Sequence, residues 1–301
     1  MNRSEKRLPG APDASAGERP LTALATQAFR ERGLSAKKSF GQNFLVDRGL
    51  ARQIAELSTY EEGGTVVEVG AGLGALTEPL LDRAARVVAI ERDRDLCPIL
   101  RDAFAGPIAD GKLIVREADA KQIDLGSELD LGPSPRVIAG NLPYQLTGPL
   151  LERTTSLARS IDRAVFMVQA EVAERLVAKP ASEAYGALTV FVGAAFRVNR
   201  AFTVGTGAFH PRPGVDSAVV VLLPIRPPRA EETQTFRAAV RAAFAQRRKT
   251  LRNAWRALGA PATIAACAAA ASIDLERRGE TLSVEEFARF ASELATMIAP
   301  Q

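Results

Sequence analysis

Thr65 to Ala85 reads TVVEVGAGLGALTEPLLDRAA, and the organisation of the chain follows from this stretch. TVVEV is a short β-branched run. A glycine-rich turn follows at once, and after it comes a segment with helical character. Gly70, Gly72 and Gly74 let a backbone pass close to a ligand with no Cβ in the way, and the helix behind them offers unpaired N–H groups. Glu91 ends the next apolar run, about 20 residues on, where a carboxylate accepts hydrogen bonds from both hydroxyls of a ribose. Gly70, Gly72 and Ala75 also satisfy a G-x-G-x-x-G/A dinucleotide pattern, so NAD stays open from this stretch alone. A tight turn with no ligand is the plainer alternative.

Further apolar runs alternate with helical ones: RVVAI, a helix expected over Arg94 to Phe104, KLIVRE, RVIAG and AVFMVQ. That rhythm predicts βαβ units and an α/β fold with a mostly parallel sheet. LTVFVGAAFRV (Leu188 to Val198) and SAVVVLLPI (Ser217 to Ile225) are expected to complete it as an antiparallel pair. PIRPPRAEE (Pro224 to Glu232) breaks any regular element, and beyond it no strand-like run remains. The expected division is a leader over 1–35, disordered or partly helical, a catalytic α/β domain over 36–228 and a small all-helical domain over 229–301. Within the leader, Leu21 to Gly33 reads equally as a short helix or as more tail.

Composition removes whole classes of function. With 39 Lys and Arg against 35 Asp and Glu, the chain is only mildly basic, and its apolar content is that of an ordinary folded protein. One His (His210) and two Cys (Cys97, Cys267) cannot build a zinc site or a disulfide framework. No G-x-S-x-G elbow accompanies His210, which argues against a Ser-His-Asp hydrolase. No apolar run is long enough to span a membrane, and the first residues lack the apolar segment of a signal peptide. A metal-free cytoplasmic protein is expected.

Asn141-Leu142-Pro143-Tyr144 follows RVIAG directly and so falls at the carboxyl edge of the expected sheet, where open α/β folds bind ligands. Methylation of an exocyclic adenine nitrogen would suit these residues. Its lone pair is delocalised into the ring, and acceptors aimed at its two protons favour pyramidalisation and free that pair. The Asn141 amide oxygen is one acceptor. The carbonyl of Leu142, held extended by Pro143, is the other. Tyr144 offers a face on which a flipped base stacks. A methylated aryl-ammonium loses its proton to water, so no histidine is required. Asp119, after the third strand, is placed to accept from an adenine amino group.

KKSFGQNFL (Lys37 to Leu45), EVGAGLG, NLPY, VQAEVAERLVAKP (Val168 to Pro180) with YGALTV, AFHPRPGVDSAVV (Ala208 to Val220) and QRRKTLRN (Gln246 to Asn253) occur in one order. Together they resemble the rRNA adenine N6-dimethyltransferases of the KsgA type, over about residues 36 to 295. The resemblance implies a Rossmann-like class I methyltransferase fold dependent on S-adenosylmethionine. It implies that Gln42, Asn43 and Leu45 lie over this cofactor and that Gly70 and Gly72 lie under its methionine part. Glu91 then accepts from the ribose, Asp119 with Ala120 meets the adenine, and Asn141 is shared between cofactor and target base. Phe209 closes the far face of that base opposite Tyr144. The implied substrate is a pair of adjacent adenines near the 3′ end of 16S rRNA in an immature small subunit, and nothing suggests an obligate dimer. Gln145, Ala170 and Gly214 depart from the family's usual residues, and the last two each remove a possible phosphate contact.

Arg237, Arg241, Arg247, Arg248, Lys249, Arg252 and Arg256 occupy a stretch with no acid, for which a phosphate-binding surface is expected and a solvated helix face is the plainer alternative. One ideal helix would put Arg248 and Trp255 on the same side, so two helices meeting near Gln246 to Arg248 are expected. Lys37 and Lys38 add a second candidate patch. Two alternatives remain: an Erm-type enzyme acting on 23S rRNA, and a non-catalytic RNA-binding relative of the mitochondrial transcription factor B kind.

Overall fold

A computed structural model describes residues 21–37, 40–59 and 62–298. Helix α1 (Leu21–Glu31) comes first, then the short strand β1 (Phe44–Leu45) and helix α2 (Arg48–Ser58), which Asp47 caps by accepting from the Leu50 N–H. The alternation follows as β2 (Thr65–Val69), α3 (Thr77–Leu81), β3 (Arg86–Glu91), α4 (Leu96–Ala103), α5 (Ala105–Ala109) and β4 (Leu113–Glu117). It continues with α6 (Leu125–Leu129), β5 (Arg136–Asn141), α7 (Thr147–Ser156), β6 (Arg163–Gln169) and α8 (Ala170–Val177). After α9 (Ala187–Ala195) come β7 (Phe196–Val204), β8 (Phe209–His210) and β9 (Ser217–Pro224). Four helices end the described chain: α10 (Gln234–Ala245), α11 (Leu251–Ala254), α12 (Pro261–Ala270) and α13 (Val284–Ile298).

The main sheet has seven strands in the order β4-β3-β2-β5-β6-β9-β7. The first five run parallel, while β9 is antiparallel to both β6 and β7. Helices cover both faces, so the central strands read as unbroken apolar runs rather than alternating ones, and all of TVVEV is buried. The strand order reverses between β2 and β5, which makes their carboxyl ends the natural ligand crevice. Those ends lie very close. A Cβ on Gly140 would sit 2.4 Å from the Val69 carbonyl oxygen, so only glycine fits beside β2 there.

One expected strand is a helix. The sequence of LTVFVGAAFRV predicts a strand, but its first part forms α9 and only Phe196 onward joins β7. The run is apolar all round because α9 is buried on two sides. Val192 and Ala195 pack into the sheet core, whereas Val190, Phe191 and Ala194 pack against the C-terminal helices. The helical core therefore recruits Tyr185, Val190, Phe191 and Ala194 from before the proline-rich break. Trp255 sits at its centre, stacked on Phe290 at 3.7 Å between ring centroids and donating from Nε1 to the Ala239 carbonyl at 2.9 Å. The separation of α10 from α11 matches the break inferred near Gln246 to Arg248.

Candidate active site

The loop after β2 is tied to the next strand by its own backbone: Gly70 and Ala71 both donate to the Ile90 carbonyl, at 2.9 and 3.2 Å. Gly72, at φ +60°, adopts a left-handed conformation that L side chains rarely tolerate, and a Cβ there would lie 3.2 Å from the Phe44 ring. Its N–H donates to Glu91 Oε2 at 2.9 Å, and the Asp93 N–H donates to Glu91 Oε1 at 2.9 Å. Glu91 is thus fixed in direction at the end of β3, with lone pairs to spare. Burial pushes its carboxyl above the usual range, against the pull of those N–H groups.

Glu68 was part of the quoted motif but had no role assigned from sequence. It is fully buried on β2, accepts from the Thr77 hydroxyl at 2.6 Å and lines the same cleft as Glu91. Burial, opposed by that hydrogen bond and reinforced by the charge on Glu91, pushes it up to about 7. The sequence signal was available: a carboxylate amid Val residues in a strand has no solvent to face.

Opposite the glycine loop, the segment before β1 is held by Asp93. Its Oδ1 accepts from Lys37 Nζ at 2.6 Å, and its Oδ2 accepts from Gln42 Nε2 at 2.7 Å. Gln42 Oε1 in turn accepts from the Lys37 N–H at 2.8 Å. Gln42 therefore frames the wall with both ends of its amide committed. Although burial opposes charge on Asp93, the bonds from Lys37 and Gln42 hold its carboxyl below the usual range. Lys37 also pairs with Asp95 at 2.6 Å. The Lys37 charge, expected in a phosphate patch, is thus shared between two carboxylates while its side chain stays about a third exposed, at 36%. Lys38 lies outside the described residues.

At the end of β5, Asn141 Nδ2 donates to the Asn43 backbone carbonyl at 3.1 Å. A carbonyl can only accept, so the amide nitrogen must face it, and Asn141 Oδ1 is left as an acceptor. The Leu142 N–H donates to the Met167 carbonyl at 3.1 Å, which pins the turn, and Pro143 follows with φ −55°. Tyr144 is half-buried and its hydroxyl bonds Ser217 of β9 at 3.1 Å. Phe209 is placed by strand pairing, with Leu45 opposite Phe209 and Phe44 opposite His210. Asp119 caps its own turn by accepting from the Lys121 N–H at 2.9 Å, beside buried Ala120.

All of these meet in one cleft. Gln42, Asn43, Leu45, Gly70, Gly72, Glu91, Asp119, Ala120, Asn141, Leu142, Pro143, Tyr144 and Phe209 line it together. Phe40, Phe44, Arg92, Leu146 and Met167 line it too and were not anticipated. The Arg92 guanidinium lies 4.3 Å from the Phe40 ring centroid, a cation–π contact that closes one rim.

The basic stretch behaves differently in space than in sequence. Arg237 pairs with Glu232 at 2.6 Å and Glu152 at 3.3 Å, Arg241 with Glu152 at 3.6 Å, and Arg252 with Glu276 at 2.7 Å. Arg247 donates to the Glu183 and Tyr185 carbonyls at 2.8 and 3.1 Å and pairs with Glu280 at 3.7 Å. Arg247 and Arg252 therefore bring paired rather than isolated charges to the expected phosphate surface. Arg248 and Lys249 are exposed at the junction of α10 and α11. Among the described residues no helix is long and apolar enough to cross a membrane.

Residues 33–296 match the family described as ribosomal RNA adenine dimethylase. The chain belongs to that family. A relative from Anaeromyxobacter sp. (strain K), named ribosomal RNA small subunit methyltransferase A, is 45% identical over 267 residues, covering 85% of this chain and 92% of its own. A relative of the same name from Geobacter sulfurreducens is 41% identical over 272 residues, covering 88% and 98%. Among solved structures, a dimethyladenosine transferase from Plasmodium falciparum superposes with a TM-score of 0.67 at 23% identity, covering 84% of this chain and 98% of its own. The 23S rRNA methyltransferase ErmE gives 0.62 at 24%, covering 84% and 99%. These two establish the shared fold. The dimethylase family is one of S-adenosylmethionine-dependent transferases, and its class I α/β architecture is the one built here around β2 and β5.

Proposed function

We propose that this chain dimethylates N6 of two adjacent adenines near the 3′ end of 16S rRNA, in an immature small ribosomal subunit in the cytoplasm, and works as a monomer. The carrying observation is Asn141, locked onto the Asn43 carbonyl with its amide oxygen left to accept, beside Tyr144 and Phe209 in one cleft. The names of relatives at 41–45% identity support the small subunit over the large one.

The cleft suits S-adenosylmethionine: the buried carboxylates Glu68 and Glu91 offer acceptors to a cationic, hydroxyl-rich molecule, and a side chain at Gly72 would press into Phe44. Gly70 and Gly72 take its methionine part, Glu91 its ribose, Asp119 with Ala120 its adenine, and Gln42, Asn43 and Leu45 the side above. When bound, S-adenosylmethionine would supply the methyl group to N6 and leave as S-adenosylhomocysteine. On the target side, Asn141 Oδ1 and the Leu142 carbonyl accept from the two N6 protons and free the lone pair. Tyr144, steadied by Ser217, and Phe209 hold the base ring. The methylated nitrogen gives its proton to water. Arg248 and Lys249, on the helical part over 229–301, contact rRNA phosphates.

Labelled S-adenosylmethionine incubated with undermethylated small and large subunits tests this. Label in dimethyladenosine of the small subunit is expected. Label confined to the large subunit would move the assignment to the Erm-type reaction, and no label in either would leave only an RNA-binding role.

A further inference from the structure

Helix α1 lies outside the stretch that matches the family, which begins at residue 33, yet it touches two walls of the cleft. We infer that α1 positions the cofactor-binding loop and the strand above it, with Phe29 and Thr22 as the positioning residues. The inference rests on the cleft being the S-adenosylmethionine site.

The first contact is with the glycine loop. The Thr22 hydroxyl donates to the Glu78 carboxylate at the start of α3, and its oxygen lies 3.3 Å from the Gly74 carbonyl oxygen, within reach of a shared, weaker bond. Below it, fully buried Ala25 packs with Leu73, which lines the cleft, and with Leu96 and Ile99 of α4. The second contact is with the strand above. The edge of Phe29 meets the Phe44 ring at 5.6 Å between centroids and 72° between planes. Phe44 in turn covers Gly72 and adjoins Asn43, whose carbonyl holds Asn141. β1 is held from below by buried Leu45 and at its edge by the pairing with β8, and Phe29 adds a contact on the Phe44 ring, the part of β1 that covers Gly72.

The helix is built to stop where this requires. The Gly33 N–H donates to the Arg30 carbonyl at 2.9 Å and the Leu34 N–H to the Phe29 carbonyl at 3.2 Å, a Schellman closure that turns the chain toward Lys37. Leu34 and Phe29 flank that closure in the same small apolar cluster. Arg32 pairs with Asp102 at 2.9 Å, but both are exposed, so this pair adds little.

The test uses the full chain, with S-adenosylhomocysteine affinity measured by calorimetry and methyl transfer measured as KM and kcat for the donor. Phe29→Ala is expected to weaken S-adenosylhomocysteine by about 3- to 10-fold, the range of a lost aromatic contact. KM for the donor should rise in parallel, with kcat at saturation within about two-fold. Phe29→Leu should recover most of the affinity, and Arg30→Ala, on the exposed side of α1, should match the unsubstituted protein. Thr22→Val provides a second route should Phe29→Ala fold poorly, with circular dichroism reporting the fold in each case. Unchanged affinity in both folded variants overturns the inference, as does an equal fall in kcat with no change in KM. Failure of the unsubstituted protein to bind S-adenosylhomocysteine would instead overturn the assignment of the cleft.

Discussion

Asn141 and Asn43, 98 residues apart in sequence, are joined by a 3.1 Å hydrogen bond from the side-chain amide of one to the backbone carbonyl of the other. The bond fixes which end of the Asn141 amide remains as an acceptor. Asn141→Ala removes that acceptor without disturbing β5, so kcat should fall by about 10²-fold or more with little change in melting temperature. Asn141→Asp should be no better, because it sets a carboxylate oxygen against the Asn43 carbonyl. A variant of either kind with near-normal kcat would sink the acceptor role.

Tyr144 combines a base-stacking face with a hydroxyl anchored on Ser217. Tyr144→Ala should raise KM for the RNA substrate by roughly 5- to 150-fold, the equivalent of about 1–3 kcal/mol of stacking. Tyr144→Phe keeps the face and loses only the anchor, at a cost of about 1 kcal/mol in stability and little in KM. Equal effects of the two substitutions on KM would argue against stacking.

Glu68 ties stability to pH in an unusual direction. Its folded value of about 7 lies above the ordinary 4.5, so the folded chain holds a proton that the unfolded chain has released. Below about pH 4.5 both states are protonated and nothing is lost; between there and 7 stability falls as pH rises, and above 7 the full penalty is present, about 3 kcal/mol. Glu68→Gln keeps an acceptor for Thr77 and carries no charge. It should raise stability at pH 8 and leave it nearly unchanged at pH 4.5, as denaturant titration at the two values would read. The same gain at both would point to packing rather than ionisation.

The basic junction separates two kinds of arginine. Arg248→Glu with Lys249→Glu should weaken binding to small subunits and lower the salt slope by about 2, leaving the melting temperature unchanged. Arg247→Glu cuts the ties to the Glu183 and Tyr185 carbonyls and to Glu280, so it should lower the melting temperature by several degrees. If Arg247→Glu altered only the salt slope, its ties would be incidental.

Local pattern was enough for β2 through β6, because each is a short apolar run closed by a turn at the same edge of the sheet. It was enough for the cleft as well: residues quoted from four separate motifs converge there. What stayed hidden depended on distant partners. LTVFVGAAFRV has no period to read because α9 has two cores to face. Within the acid-free stretch, Arg237, Arg241, Arg247 and Arg252 are paired with Glu152, Glu232, Glu276 and Glu280, none of them in the stretch itself. Lys37 finds its partners, Asp93 and Asp95, 56 and 58 residues away, beyond the reach of local pattern.

Because α9 gives one side to the sheet and the other to the Trp255 cluster, neither half can melt and leave the other's interior intact. Loss of either one bares Val192 and Ala195 or Val190 and Phe191 to water. A scanning calorimeter should therefore record one heat-absorption peak for the whole chain, with matching calorimetric and van't Hoff enthalpies.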